Sequence, residues 1–186
     1  MMGPGTSFGI IPIAHDTVYV GGVTKEPGNP RYPREQLPAL CREKFAAFGG
    51  FAPALLAQVT DPAQVVYTPI EEVLMPAPWH RGRVVVLGDA AHASTPFWAM
   101  GATMAIEDAV LLAMLLEGEQ AASAVLPHWM DRRLQRCLFV QKGSMETGRR
   151  SHDESPGAME ARDNYMRNFM QADVTKRFAI LAEPFA

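Results

Sequence analysis

Apolar and polar positions divide the chain into a β-rich first part and a helical second part. Residues 8–15 and 18–24 are two β-rich runs on either side of a polar break at Asp16, a pattern that predicts a hairpin. Pro12 places the first run at a sheet edge or at a bulge. Residues 25–33 carry Pro27, Gly28, Pro30 and Pro33 and read as a loop. Residues 36–48 predict a helix, with Pro38 in its first turn and Gly49-Gly50 as its stop. A shorter helix is predicted over residues 53–58, and a strand interrupted by Pro69 over 65–73. A loop over 75–82 holds Trp79. Residues 83–87, Arg-Val-Val-Val-Leu, give the strongest strand signal; a continuous apolar run suits a strand covered on both faces of a parallel or mixed sheet. Beyond Gly101 the chain reads as helix over 103–117, 121–144 and 157–173, with a last turn near 174–181.

Composition narrows the class. A chain of 186 residues can bury one core or a little more, and 48% hydrophobic with 20% charged residues is ordinary for a globular protein. The net charge of −3, with both signs scattered, argues against a nucleic-acid partner or a membrane surface. The N-terminal Met-Met-Gly-Pro-Gly does not read as a signal peptide, and the longest apolar run, 109–116, is far short of a membrane span, so a cytoplasmic location is expected. Cys41 and Cys137 have no metal or redox spacing and are read as reduced thiols. His15, His80, His128 and His152 form no ligand spacing, and no metal is expected. Eleven methionines are many; Met100, Met104 and Met114 are read as filling an irregular core, with a pliable pocket as the alternative. Neither a P-loop nor a Gly-x-Ser-x-Gly elbow is present.

The chemistry gathers in residues 83–109. Asp89 follows an apolar strand and precedes Ala90 and Ala91, which leave room for a ligand. Its carboxylate can accept hydrogen bonds from ligand hydroxyls; the alternative is that it caps the turn. Further on, a helix opens at Gly101, and its first amides and positive dipole end suit an anionic ligand edge. Glu107 and Asp108 are read as acids favoured near a helix start, and His92 as a structural histidine bonded to nearby backbone.

Gly88-Asp89-Ala90-Ala91-His92, then Pro96, then Ala99-Met100-Gly101-Ala102-Thr103 and the pair Glu107-Asp108, resembles the second flavin-binding segment of the class A FAD-dependent monooxygenases. That family shows Gly-Asp-Ala-Ala-His, a proline, Gly-x-Gly-x-Asn at the helix start and an acidic pair; this chain departs at Ala99 and Thr103. The hairpin, the helices over 37–58, Pro78-Trp79, and Trp129 with Arg132, Arg133 and Arg136 also look familiar. The resemblance implies FAD as cofactor, bound by Gly88, Asp89, Ala90, Pro96, Gly101, Ala102 and Thr103. Asp89 would bind a ribityl hydroxyl, Pro96 would lie beside the isoalloxazine, and the amides of 101–103 would face its pyrimidine edge. NADPH or NADH would be co-substrate and a small aromatic compound the substrate, with no catalytic side chain because the chemistry is borne by the flavin. Ile11, Ile13, Tyr67, Phe97 and Trp98 would wall the substrate cavity.

The implied fold is α/β: residues 1–75 as part of a substrate-binding domain, 76–120 as the Gly-Asp strand segment of a Rossmann-like FAD domain, and 121–186 as a C-terminal helical region. The Gly-x-Gly-x-x-Gly fingerprint and an Asp-Gly pair, which the family places earlier, do not occur in the sequence. The N-terminal half of the fold is therefore expected to be absent. The apolar strand at 83–87 is expected to seek a second chain carrying that half, or to drive self-association. Two alternatives stand: another flavoenzyme of the superfamily, a halogenase or an isoprenoid reductase, and a non-catalytic binding subunit or decayed fragment.

Overall fold

A computed structural model describes residues 1–118 and 121–184. The chain gathers into two compact units, one of residues 1–69 and 150–164, the other of 70–149 and 165–186.

The first unit is built on a three-stranded antiparallel sheet of order β1-β2-β3: β1 Met2–Gly3, β2 Thr6–Pro12 and β3 Val18–Thr24. The expected hairpin is present, in a register that sets Phe8 opposite Gly22 and Pro12 opposite Val18. Pro12 ends its strand, and β1 pairs only with Thr6 and Ser7, so the missing N–H breaks no ladder. Helices α1 Leu37–Lys44 and α2 Ala52–Leu56 cover the sheet through Phe45, Phe48 and Leu56 around Phe8. The Phe8 and Phe45 ring centroids are 5.2 Å apart, and Phe8 and Phe48 5.7 Å. Gly22 makes this possible: a Cβ there would meet the Phe45 ring at 2.2 Å. α1 stops four residues before the expected end, at a C-cap Phe45 already turned out of helical geometry to place its ring in the core. Residues 150–164 belong here through Arg162 Nη1 donating to the Gly3 carbonyl at 2.9 Å and a 3.1 Å contact between Ser7 Oγ and His152 Nε2.

The second unit is mainly helical. β4 His80–Arg81 and β5 Val84–Val85 form a two-stranded ladder. α3 Asp89–His92 follows, then α4 Gly101–Leu116, α5 Ala122–Ser151, α6 Ala158–Asn168 and α7 Met170–Ala182. The expected continuous helix over 157–173 breaks at Phe169, whose φ is −126°. The core is Trp79, Met104, Leu111, Trp129, Met130, Cys137 and Val140, with Val85, Val86 and Leu87 packed on it. Met104 is core, whereas Met114 is 51% exposed. Among the described residues no helix is long and apolar enough to cross a membrane.

Two expected strands are corrected. Residues 65–73 form no ladder; the extended chain there is tied by the Tyr67 hydroxyl donating to the Pro30 carbonyl at 3.4 Å, by Val73 N–H to the Ala93 carbonyl at 3.0 Å and by Gln141 Nε2 donating to the Val73 carbonyl, followed by Met75 N–H to the Ala91 carbonyl at 2.9 Å. Residues 83–87 shorten to the two-residue β5, and Val84 is 70% exposed rather than covered on both faces. A strand exists through its neighbours, and β-propensity alone supplies none.

Candidate functional site

The turn between β5 and α3 is set by Gly88, whose φ of 60° and ψ of −145° lie in a region essentially reserved for glycine. Its carbonyl accepts from both Ala91 N–H and His92 N–H at 2.9 Å, winding the short helix α3. Its own N–H donates to Asp108 Oδ2 at 2.9 Å. A Cβ at 88 would press on Ala105 of α4 at 3.2 Å. The turn therefore sits directly against α4 and throws Asp89 and Ala90 outward, where both are exposed.

Residues 94–100 bring the chain back to the start of α4. Ser144 of α5 holds this loop: its hydroxyl donates to the Thr95 carbonyl at 2.5 Å and accepts from the Thr95 hydroxyl at 2.8 Å and from Trp98 N–H at 3.2 Å. Pro96 opens a 3-10 turn over Pro96–Trp98 and is exposed. Ala99, at the first family departure, adopts φ 52° and ψ 34°, the left-handed region in which a glycine is relaxed. Ala99 thus holds a conformation that glycine adopts freely, at a cost in strain.

α4 then begins without a side-chain cap: the Met100 side chain at its N-cap accepts no hydrogen bond from the first amides, and no acid lies in the first turn. The first helical hydrogen bond is Met104 N–H to Met100 C=O at 2.9 Å, so the amides of 101–103 open toward the exposed Ala102 and Thr103 surface. A Cβ at Gly101 would lie 3.6 Å from Ser94 Oγ and 3.9 Å from Asp89 Oδ1. The carboxylate of Asp89 and the open helix end are therefore neighbours, with acceptors on one side, donors on the other, and no side chain at 101 between them. This fits the ribityl hydroxyls and polar pyrimidine edge of a flavin. Asp89 and Gly101 lie together on this edge of the second unit, Gly88 sets the turn against α4, and Ala90, Pro96, Ala102 and Thr103 are exposed.

Beneath it lies a charged network whose role the sequence reading missed. Glu107 and Asp108 are not surface acids: they are 7% and 0% exposed. Arg133 of α5, itself fully buried, donates Nε to Asp108 Oδ1 and Nη1 to Glu107 Oε2, both at 2.7 Å. Arg136 donates Nε to Glu107 Oε2 at 2.7 Å and Nη2 to Oε1 at 2.8 Å. His92 is buried, and its partner is a side chain where a bond to nearby backbone was expected, with Nε2 2.6 Å from Asp108 Oδ2. Burial opposes charge on His92, yet the bond to Asp108 and contact with Cys137 outweigh it and push its pKa up to about 10. Burial likewise works against both carboxylates. Arg136 and Arg133 nonetheless lower Glu107, and His92, the Gly88 amide and Arg133 lower Asp108. A signal was available: Glu107 and Asp108 are the only charges between residues 101 and 116, and an arginine pair follows one helix later.

His92, Asp108 and Cys137 offer donors within 4.8 Å of one another. A cation already fills the place: Arg133 Nη2 lies 3.6 Å from Cys137 Sγ, and its Nε holds Asp108. The chemistry of this donor set does not fit a metal ion without expelling a buried guanidinium.

The residues expected to wall a substrate cavity fall in both units. In the first, Ile11 and Ile13 are 54% and 64% exposed, and Tyr67 sets its ring edge-on to Tyr32 at 5.3 Å. In the second, Trp98 donates Nε1 to Thr147 Oγ1 at 2.8 Å, meets Phe139 at 5.4 Å and lies under the Arg177 guanidinium at 4.6 Å. α5 receives Trp98 and Phe97 at Gly143 and Gly148, where a Cβ would collide at 2.0 and 2.2 Å.

Residues 60–141 match the model of the FAD binding domain family. The chain is 36% identical over 157 residues to YetM of Bacillus subtilis, described provisionally as an FAD-dependent monooxygenase; the match covers 83% of this chain and 42% of YetM. It is 36% identical over 141 residues to the 6-hydroxynicotinate 3-monooxygenase of Bordetella bronchiseptica, covering 74% of this chain and 36% of that one. Its fold superposes on Klebsiella pneumoniae HpxO, solved with FAD and uric acid, with a TM-score of 0.84 at 24% identity, over 100% of this chain and 48% of that one. The chain belongs to the FAD-dependent monooxygenase family as a partial member. It spans about half the length, or less, of the relatives it matches.

Proposed function

We propose that this chain supplies the flavin-holding part of an FAD-dependent monooxygenase that hydroxylates a small aromatic or similar organic compound with NADPH or NADH and O2. The observation that carries the reading is the Asp89 carboxylate placed beside the uncapped start of α4. Asp89 would accept hydrogen bonds from the ribityl hydroxyls. The amides of Gly101, Ala102 and Thr103 would face the pyrimidine edge and favour its negative charge. Pro96, Phe97 and Trp98, fastened to α5 by Ser144, Gly143 and Gly148, would keep a rigid apolar rim that excludes water from the ring. FAD, when bound, supplies the oxygen activation and transfer. Ile11, Ile13 and Tyr67 remain proposed substrate contacts, and the full reaction requires a complementary half from a second polypeptide or a longer one.

The test is a titration of FAD into the assembled protein, followed by substrate-dependent NAD(P)H oxidation. Asp89→Ala is expected to weaken FAD binding by about tenfold or more, the worth of one or two charge-assisted hydrogen bonds. Equal FAD affinity of the Asp89→Ala protein would remove the basis of the assignment. A non-catalytic binding role is the second reading, favoured by the strained Ala99 where the loop would be relaxed by glycine. FAD retention without any NAD(P)H turnover, across a panel of aromatic substrates, would select it.

A further inference from the structure

Between α5 and the C-terminal end of α7 lies a cavity of about 430 Å³, a volume within the range of small-ligand sites. Phe139 of α5, with Ile180 and Pro184 from the end of α7, makes its apolar floor. Arg136 closes the inner wall. Its guanidinium is met by Glu107, and it donates Nη2 to the Leu181 carbonyl at 2.6 Å and Nη1 to the Ile180 carbonyl at 3.4 Å, which ties α7 to α5. The rim carries the guanidinium of Arg132, the amide of Gln135 and the carboxylate of Glu183. Arg132 and Glu183 have opposite charges and line the same space, yet neither side chain is paired with the other or with any other described residue. An unanswered cation and an unanswered anion over an apolar floor complement a molecule that carries both charges on a flat apolar body.

The cavity also has a reporter. The Phe139 ring meets the Trp98 ring edge-on at 5.4 Å. Arg177, one turn before Ile180 on α7, lies over the Trp98 ring at 4.6 Å. Both helices that wall the cavity therefore touch the half-buried Trp98, whereas Trp79 and Trp129 are sealed in the core. We propose that this cavity binds a small aromatic zwitterion and that its occupancy is felt at Trp98. The carboxylate of the ligand takes charge-assisted hydrogen bonds from Arg132 and one from the Gln135 amide, its ammonium donates to Glu183, and its ring lies against Phe139. The site lies wholly in the second unit, and no part of it rests on the flavin reading.

The probe is 4-(aminomethyl)benzoate, titrated into the assembled protein by calorimetry and by tryptophan emission, without FAD and again with it. A Kd on the order of 0.1–1 mM is expected for a ligand of this size, equal in the two titrations. Benzoate, which lacks the ammonium, and benzylamine, which lacks the carboxylate, should each bind about fivefold more weakly or worse. Arg132→Glu and Glu183→Lys should each weaken the probe at least as much. The variant carrying both substitutions exchanges the two charges and should recover binding, because the probe can turn end for end. Lys142→Ala, exposed on α5 and outside the cavity, should leave binding unchanged. Trp98→Phe should keep the heat of binding and lose the emission change. Arg132 and Glu183 are exposed, so their variants should melt with the unaltered protein, which separates lost binding from lost folding. No heat of binding, equal affinity for benzoate, a double variant as weak as the single ones, or an unchanged emission would each overturn the proposal. Displacement of the probe by FAD would do so too, since it would put the probe on the Asp89 edge.

Discussion

Asp108 is the residue on which the site turns. Its two oxygens hold the Gly88 amide, His92 and Arg133, so one carboxylate on α4 fixes both the turn that presents Asp89 and the helix that presents the amides. Replacing Asp108 with Asn leaves the buried Arg133 with Glu107 as its remaining carboxylate and takes the counter-charge from buried His92, and a loss of about 3–5 kcal/mol is expected by chemical denaturation. The network also predicts a pH dependence. His92 has its pKa raised from 6.5 to about 10, so its contribution is fully present below 6.5 and is lost as pH rises toward 10. Asp108 and Glu107 have theirs lowered from 3.8 and 4.5, so their contributions are present above those values and are lost as pH falls below them. Melting temperature should therefore be highest between about pH 5 and 6.5 and decline on both sides. In His92→Gln the alkaline decline should flatten, and a slope left intact would show that another group titrates. At Ala99 the sign is opposite: Ala99→Gly relieves a left-handed residue and should add about 0.5–1 kcal/mol.

α4 and α5 are neighbours for two reasons that a helix pattern does not separate. One is the apolar contact of Met104 and Leu111 with Trp129, Cys137 and Val140. The other is the ion-pair layer, closed by Trp129 Nε1 donating to the Asp108 carbonyl at 3.0 Å. Higher on α5 the packing depends on glycine. Gly143→Ala would drive a methyl into the Trp98 indole at 2.0 Å and should cost about 1–3 kcal/mol. Because Trp98 shares its loop with Pro96, the same change should weaken FAD binding in the assembled protein more than an Ala substitution at the exposed Lys142 does. Equal effects of the two would mean that the loop is not positioned by this notch.

At the scale of the molecule, a sheet-bearing unit and a helical unit share one chain, and the candidate cofactor edge lies wholly on the second. The hairpin, the helix starts at Pro38 and Gly101, and the Gly88-Asp89 turn were legible because local rules specify them: alternation, proline at a first turn, glycine where φ is positive. The strand at 83–87 was legible as a preference but not as a ladder, since its length is decided by what lies beside it. Glu107 and Asp108 were misread because acids near a helix start and buried acids look alike until a partner helix is placed.

The sequence by itself determined where the chain turns, which segments are helical and which residues carry the flavin-like motif. These follow from backbone preferences within a few residues of one another. Only the tertiary structure decided that α4 faces its acids inward and its aliphatics outward. That choice depends on Arg133 and Arg136 arriving from α5, because a buried carboxylate is tolerable only when a cation meets it.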